Sequence, residues 1–183
     1  MIRLSLPGNR RPLRALCLGA HSDDIEIGCG GTVLELLRRQ RPIEFDWVVF
    51  SAKEETRRDE AKKSASALLR GATGRHIALE KFRDGHFPYI GGEIKDYFET
   101  LKRLPSPDVI FTHCRNDLHQ DHRLISELTW NTFRDHLILE YEVPKYDADL
   151  GSPSVYVPLD RSTVDKKIRL LLKHFPSQAK NRW

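Results

Sequence analysis

Short apolar runs alternate along the chain with longer stretches in which apolar residues recur at helical spacing. The runs at 14–19, 45–50, 77–82, 108–112 and 137–142 predict five short strands. A first helix is expected near Thr32, whose hydroxyl can cap it. It turns Val33, Leu34, Leu36 and Leu37 inward until the stop at Gln40-Arg41-Pro42. A second, over 56–69, is charged on one side and carries Ala61, Ala65, Leu68 and Leu69 on the other, before Gly71. A third, over 94–104, ends before Pro105 and Pro107, because proline disfavours helix at the preceding residue. A fourth begins around His122 with a stripe of Leu124, Ile125, Leu128 and Phe133. Strand followed by helix, repeated, predicts a mostly parallel sheet flanked by helices, a three-layer α/β/α arrangement of Rossmann-like type.

Between 143 and 162 the pattern breaks into Pro144, Asp147, Asp149, Gly151-Ser152-Pro153 and Pro158, which predicts a long irregular connection with a short strand near 155–157. A last helix over 163–175 starts with the approximate capping box Ser162-Thr163-Val164-Asp165 and carries Ile168, Leu171 and Leu172. There is no internal repeat.

A length of 183 residues with 39% hydrophobic content suits one domain over 1–183. No run approaches the ~18 apolar residues of a membrane span, and Met1-Ile2-Arg3-Leu4-Ser5-Leu6-Pro7 lacks the apolar centre of a secretory signal. Cys17, Cys29 and Cys114 cannot all pair and share no Cys-x-x-Cys spacing, so reduced thiols and a cytoplasmic location are expected, with no membrane partner. The net charge of +4 is spread over clusters such as Arg10-Arg11, Arg38-Arg39-Gln40-Arg41 and Lys166-Lys167. Without a nucleic-acid motif these read best as solvated helix faces, the alternative being a surface for a phosphorylated substrate or nucleic acid. A small-molecule substrate, no nucleic-acid partner and room for a homo-oligomer complete this reading.

The chemistry lies in two clusters. His21-Ser22-Asp23-Asp24 follows the run Ala15-Leu16-Cys17-Leu18-Gly19, where a buried strand would end, and roughly a hundred residues later the chain reads Asp117-Leu118-His119-Gln120-Asp121-His122. Ligands of open α/β sheets gather at the carboxyl ends of strands, so the two clusters read as one metal site. A His, an Asp and a His with one position left for water suit a catalytic zinc, whereas structural sites fill all four positions and favour thiolates. Iron(II) or another divalent ion would suit the same donors. Hydrolysis is the reaction such a site suggests.

Ala20-His21-Ser22-Asp23-Asp24 with Glu26, followed by Gly28-Cys29-Gly30-Gly31-Thr32, resembles the Ala-His-Pro-Asp-Asp-Glu signature of the LmbE-like, or PIG-L, deacetylases. His119-Gln120-Asp121-His122 is similar to their His-Pro-Asp-His motif. Arg57-Arg58-Asp59-Glu60-Ala61 resembles their Arg-x-x-Glu helix, Asp84-Gly85 their Asp-Gly loop, and Ser177-Gln178 their Ser-Gln step. The resemblance implies His21, Asp24 and His122 as zinc ligands and Asp23 as general base. It also implies His119 facing the developing oxyanion or the leaving amine, with Asp121 orienting it and raising its pKa. The activity implied is removal of an N-acetyl group from an amino sugar or its conjugate, in polysaccharide or natural-product biosynthesis. Arg57 or Arg58 would then reach a substrate hydroxyl or phosphate and Asp84 would accept sugar hydroxyls; read without the family, they are a solvated helix face and a turn. Ser22 and Gln120 stand where the family usually has proline, and the family usually continues some tens of residues beyond Ser-Gln, whereas this sequence ends at Trp183.

Two further readings compete. Gly28-Cys29-Gly30-Gly31 at a helix start would serve a nucleotide-binding module as a phosphate cradle, although its spacing is not that of the dinucleotide fingerprint. A metal-binding relative that has lost catalysis is the other, and such a site would need neither Asp23 nor His119.

Overall fold

The computed structural model describes residues 11–39, 42–145 and 150–178. The N-terminal segment, Gln40, Arg41, Asp147 and Asp149 of the sequence reading lie outside them. Strands β1 (Leu13–His21), β2 (Ile43–Ser51), β3 (Gly74–Leu79), β4 (Val109–His113) and β5 (Ile138–Tyr141) form one sheet in the order β3-β2-β1-β4-β5. All four pairings are parallel. β1, β2 and β4, largely buried on both faces, read as continuous apolar runs; β3 lies three residues earlier than the run expected at 77–82, because it opens with the partly exposed Gly74-Arg75-His76, which carry no apolar signal.

Six α-helices join them: α1 (Asp24–Gly28), α2 (Gly30–Arg39), α3 (Glu55–Leu68), α4 (Gly91–Leu101), α5 (Gln120–Thr132) and α6 (Arg161–His174). Successive residues of β1 point to opposite faces and so build two cores. Leu13, Ala15 and Cys17 meet Ile25 of α1, Val33 and Leu37 of α2, and Ala61, Ala65 and Leu68 of α3. Leu16, Leu18 and Ala20 meet Ile94 and Phe98 of α4 and Ile125 of α5. Helix α6 packs outside α2 and α3. The three-layer α/β/α expectation therefore holds, and all three cysteines are unpaired.

Three local expectations change. The helix expected near Thr32 is present as α2, starting at Gly30, and a short helix, α1, precedes it where the glycines read as a turn lie in helical backbone approached by larger neighbours. A Cβ on Gly28 would sit 2.1 Å from the Tyr141 ring, and one on Gly31 2.5 Å from Leu159. That turn is filled by protein, which removes the phosphate-cradle argument. Residues 155–157 form no strand: Val155, Tyr156 and Val157 are exposed and have no neighbouring strand to pair with. Helix α6 starts a turn's fraction earlier than the capping box implied, since Asp160 is the cap and accepts from Thr163 N at 2.7 Å.

The sheet order changes direction between β1 and β4: β2 and β3 lie to one side, β4 and β5 to the other. In open α/β sheets the crevice beyond the carboxyl ends at such a point is where ligands bind. His21 ends β1 and His113 ends β4.

Candidate metal centre

Beyond β1 the chain enters α1 within two residues, so Asp24 folds back over the strand end and accepts from His21 N at 2.6 Å. Its Oδ2 lies 3.2 Å from His21 Nδ1 and 3.4 Å from His122 Nε2, and those two nitrogens are 3.1 Å apart. Donors bound tetrahedrally to zinc at ~2.0–2.1 Å stand about 3.3 Å from one another. The three atoms thus already have the mutual spacing of one ion's ligands, which is the observation on which a metal fits here.

Each imidazole is fixed from behind. His122 Nδ1 is 2.8 Å from Asp117 Oδ2, and His21 Nε2 is 3.1 Å from Asp84 Oδ1 and 3.3 Å from Asp121 Oδ2. A carboxylate on the far nitrogen sets the tautomer and leaves the near lone pair facing the centre. Burial disfavours charge on His122, but Asp24 and Asp117 outweigh it and raise its pKa to about 9. Burial would raise Asp24; the imidazoles of His122, His21 and His113 overcome that and hold it well below the usual carboxylate range.

Other triplets of potential ligands exist: His21, His119 and His122; Asp24, His113 and His122; His21, Asp84 and Asp121. The fully buried His113 is less suited, because its Nε2 accepts from Ala20 N at 2.9 Å. Burial and the neighbouring His122 lower its pKa to about 4, and it stacks on the His122 ring at 3.9 Å. Asp84 and Asp121 meet the far nitrogen of His21, the supporting side.

Asp23 lies on the other side of Asp24 with Oδ2 3.0 Å from Arg57 Nη2. Burial and the Asp24 charge raise its pKa against the pull of Arg57. Arg57 also donates to Glu60 Oε2 at 2.9 Å and Ser177 Oγ at 3.2 Å, and Glu60 accepts from Ser177 N and Oγ. Motif residues far apart in sequence therefore meet behind Asp23. Arg58 turns away and donates to Leu79 O at 2.6 Å, a strand-end contact rather than a substrate contact.

His119 is the cap of α5, where its Nδ1 accepts from Asp121 N at 3.3 Å. With Nδ1 an acceptor, a neutral ring carries its hydrogen on Nε2. Asp121 does not orient His119 through its carboxylate, as the resemblance implies, but accepts from Gly85 N at 2.6 Å and Phe87 N at 3.1 Å and approaches His21. Burial and the cationic rings of His21 and His122 lower the His119 pKa rather than raising it. Gly85 has φ +73, a conformation that favours glycine, and this aims its N–H at Asp121. Asp84, 73% exposed in its side chain, remains open to solvent beside His21.

His113, Tyr141 and Lys145 stand outside both sequence clusters, and Asp117, inside the second, has no role of its own in the sequence pattern. Tyr141 donates to Leu18 O at 2.7 Å, and Lys145 Nζ lies 2.9 Å from Asp117 Oδ1. Asp117 was inside the second cluster and its spacing to His122 carried the signal; the others are single residues at strand ends with no motif around them.

The sequence profile of the family described as GlcNAc-PI de-N-acetylase (PIG-L) matches residues 16–133. No curated protein sequence matches the chain. Among solved structures, a conserved protein from Thermus thermophilus superposes with a TM-score of 0.68 at 21% identity, covering 88% of this chain and 78% of that one. The N,N'-diacetylchitobiose deacetylase of Pyrococcus horikoshii, complexed with its inhibitor, gives 0.62 at 20% identity, covering 92% and 71%. A zinc-inhibited form of a teicoplanin deacetylase gives 0.69 at 14% identity, covering 90% and 84%. These likenesses establish a shared fold.

Proposed function

The chain belongs to the PIG-L family, and from that premise we propose that it is a metal-dependent amide hydrolase that removes an N-acetyl group from an amino sugar or amino-sugar conjugate. The observation that carries the reading is the donor triangle of His21, Asp24 and His122, with edges of 3.1–3.4 Å, beside the buried carboxylate of Asp23. A divalent ion held there, zinc by the donor chemistry, would polarise the amide carbonyl and make water a stronger acid.

Asp23 takes the proton of the attacking water. Its raised pKa suits it to hold that proton and return it to the amine nitrogen as the C–N bond breaks. Arg57 fixes the carboxylate through the 3.0 Å pair, with Glu60 and Ser177 holding the guanidinium in turn. His119, neutral and hydrogenated on Nε2, donates to the carbonyl oxygen where negative charge develops. Asp121 acts one step back by holding His21 and the Asp84-Gly85 turn. Asp84, beside the centre and open to solvent, accepts a sugar hydroxyl. Arg57 is a positioning residue in this scheme rather than a direct substrate contact.

Primary-amine release from a panel of N-acetylated sugars, nucleotide sugars and N-acetyl conjugates by zinc-loaded protein tests the reaction. Release from at least one, with acetate in equal amount, is the expected result; no release from any while the metal stays bound would contradict it.

A further inference from the structure

The turn that carries Asp84 is held by hydrogen bonds more than by packing. A Cβ on Gly85 would meet no atom within 4 Å beyond its chain neighbours, and the Asp84 side chain is largely exposed. The backbone of this turn is instead tied to the first two residues of α5. The Asp121 carboxylate accepts from Gly85 N and Phe87 N, and the Gln120 side-chain amide donates from Nε2 to Gly85 O. Both polar groups of the Gly85 backbone are thus bound by consecutive side chains. Asp121 has a second task, because its Oδ2 also lies 3.3 Å from His21 Nε2. Gln120 is dedicated to the turn: among the described residues, Gly85 O is the only hydrogen-bond partner of its side chain.

The helix itself does not need a glutamine there. Position 120 is the first of α5, where the backbone N–H has no partner within the helix and proline is well tolerated. His119 before it has φ −72 and ψ 120, the extended conformation that a following proline favours. The backbone would therefore accept the proline usual at this position in the family, and what Gln120 adds is the bond to Gly85. Asp84 lies one residue before that bond, with its carboxylate 3.1 Å from His21 Nε2. Resting on the hydrolase reading, in which Asp84 accepts a sugar hydroxyl, we propose that Gln120 is a positioning residue for the substrate. By fixing the Gly85 peptide it holds the exposed Asp84 carboxylate where that hydroxyl arrives. Such a contact is shared by ground state and transition state, so its loss falls on KM and not on kcat.

Zinc-loaded wild type, Gln120→Met, Gln120→Pro, Asp84→Ala and the double variant Asp84→Ala/Gln120→Met are compared in two measurements. Amide hydrogen exchange followed by nuclear magnetic resonance reads the turn without substrate. The Gly85 and Phe87 amides should exchange about 10-fold faster in both Gln120 variants, the worth of one hydrogen bond, while amides in the middle of α5 keep their wild-type rates. Steady-state amine release reads the consequence. KM for the most reactive N-acetyl sugar should rise about 3–10-fold in both Gln120 variants, with kcat close to wild type. In the Asp84→Ala background, Gln120→Met should leave KM where Asp84→Ala alone puts it, because the residue acts through that carboxylate. Unchanged exchange in both Gln120 variants overturns the proposal whatever the activity. So does faster exchange with KM unchanged, a loss confined to kcat, or an equal rise in KM with and without Asp84. The two readings fail separately: no amine release by wild type from any sugar removes the hydrolase reading, and exchange alone still decides whether Gln120 holds the turn.

Discussion

Asp117 is the residue whose role depends most on its neighbours. It reaches His122 Nδ1 at 2.8 Å, accepts from His119 N at 2.7 Å and pairs with Lys145, so it joins both histidines of the second cluster to the strand-end loop. Asp117→Asn should weaken zinc binding about 10–100-fold, the usual cost of losing a carboxylate behind a ligand histidine. Competition with a chelator reads this directly, and unchanged affinity would mean that the His122 ring is held by packing alone. At this scale the sequence offered the candidate ligands and the candidate base, because each falls in one of two short clusters of carboxylates and imidazoles. It did not carry their partners: His21 and Asp121 are 100 positions apart, and only the fold shows that this carboxylate serves His21 rather than the nearby His119.

Between elements, α1 is held against β5 and α6 against α3 by contacts with distinct signatures. Gly28 admits the Tyr141 ring, whose hydroxyl donates to Leu18 O. Gly28→Val should therefore destabilise the protein by about 1–3 kcal/mol, the usual cost of overpacking. Denaturant unfolding measures it, and a neutral result would show that α1 can shift away from β5. The end of α6 leads to Ser177, which is tied to Glu60 of α3. Burial acts to raise the Glu60 pKa, but the Ser177 hydrogen bonds and Arg57 outweigh it, so the folded value lies below the ordinary one. A carboxyl depressed in the folded state contributes stability that is fully present above its unfolded pKa of about 4.3 and is lost as pH falls through the folded value. The melting-temperature gap between wild type and Glu60→Gln should accordingly be widest near neutral pH and close in acid. A gap independent of pH would place its origin in packing. Strand and helix positions were largely legible from apolar periodicity. The start of α1 was not, because glycines that admit Tyr141 and Leu159 look in sequence like those of a turn. Nor was the exposure of Ile168 and Leu172, since spacing reports which residues share a face and not what covers that face.

For the whole molecule, the strand order decides where the chemistry meets. Because β1 and β4 are neighbours, the loops after them converge, and two clusters separated by about half of the chain become one centre. The sequence supported a parallel sheet and a paired metal motif, but their convergence at the point where the sheet order turns required the topology. The proposed hydrolysis divides that centre into residues that hold an ion and a residue that moves a proton, and the division is measurable. Bound zinc and amine release should be determined side by side on wild type, Asp23→Asn and His122→Ala, with the most reactive N-acetyl sugar of the panel. Asp23→Asn should retain zinc with release slowed by about 10²–10⁴-fold, the typical contribution of a general base, and His122→Ala should lose zinc. Full turnover in Asp23→Asn, or undiminished zinc in His122→Ala, would contradict that division.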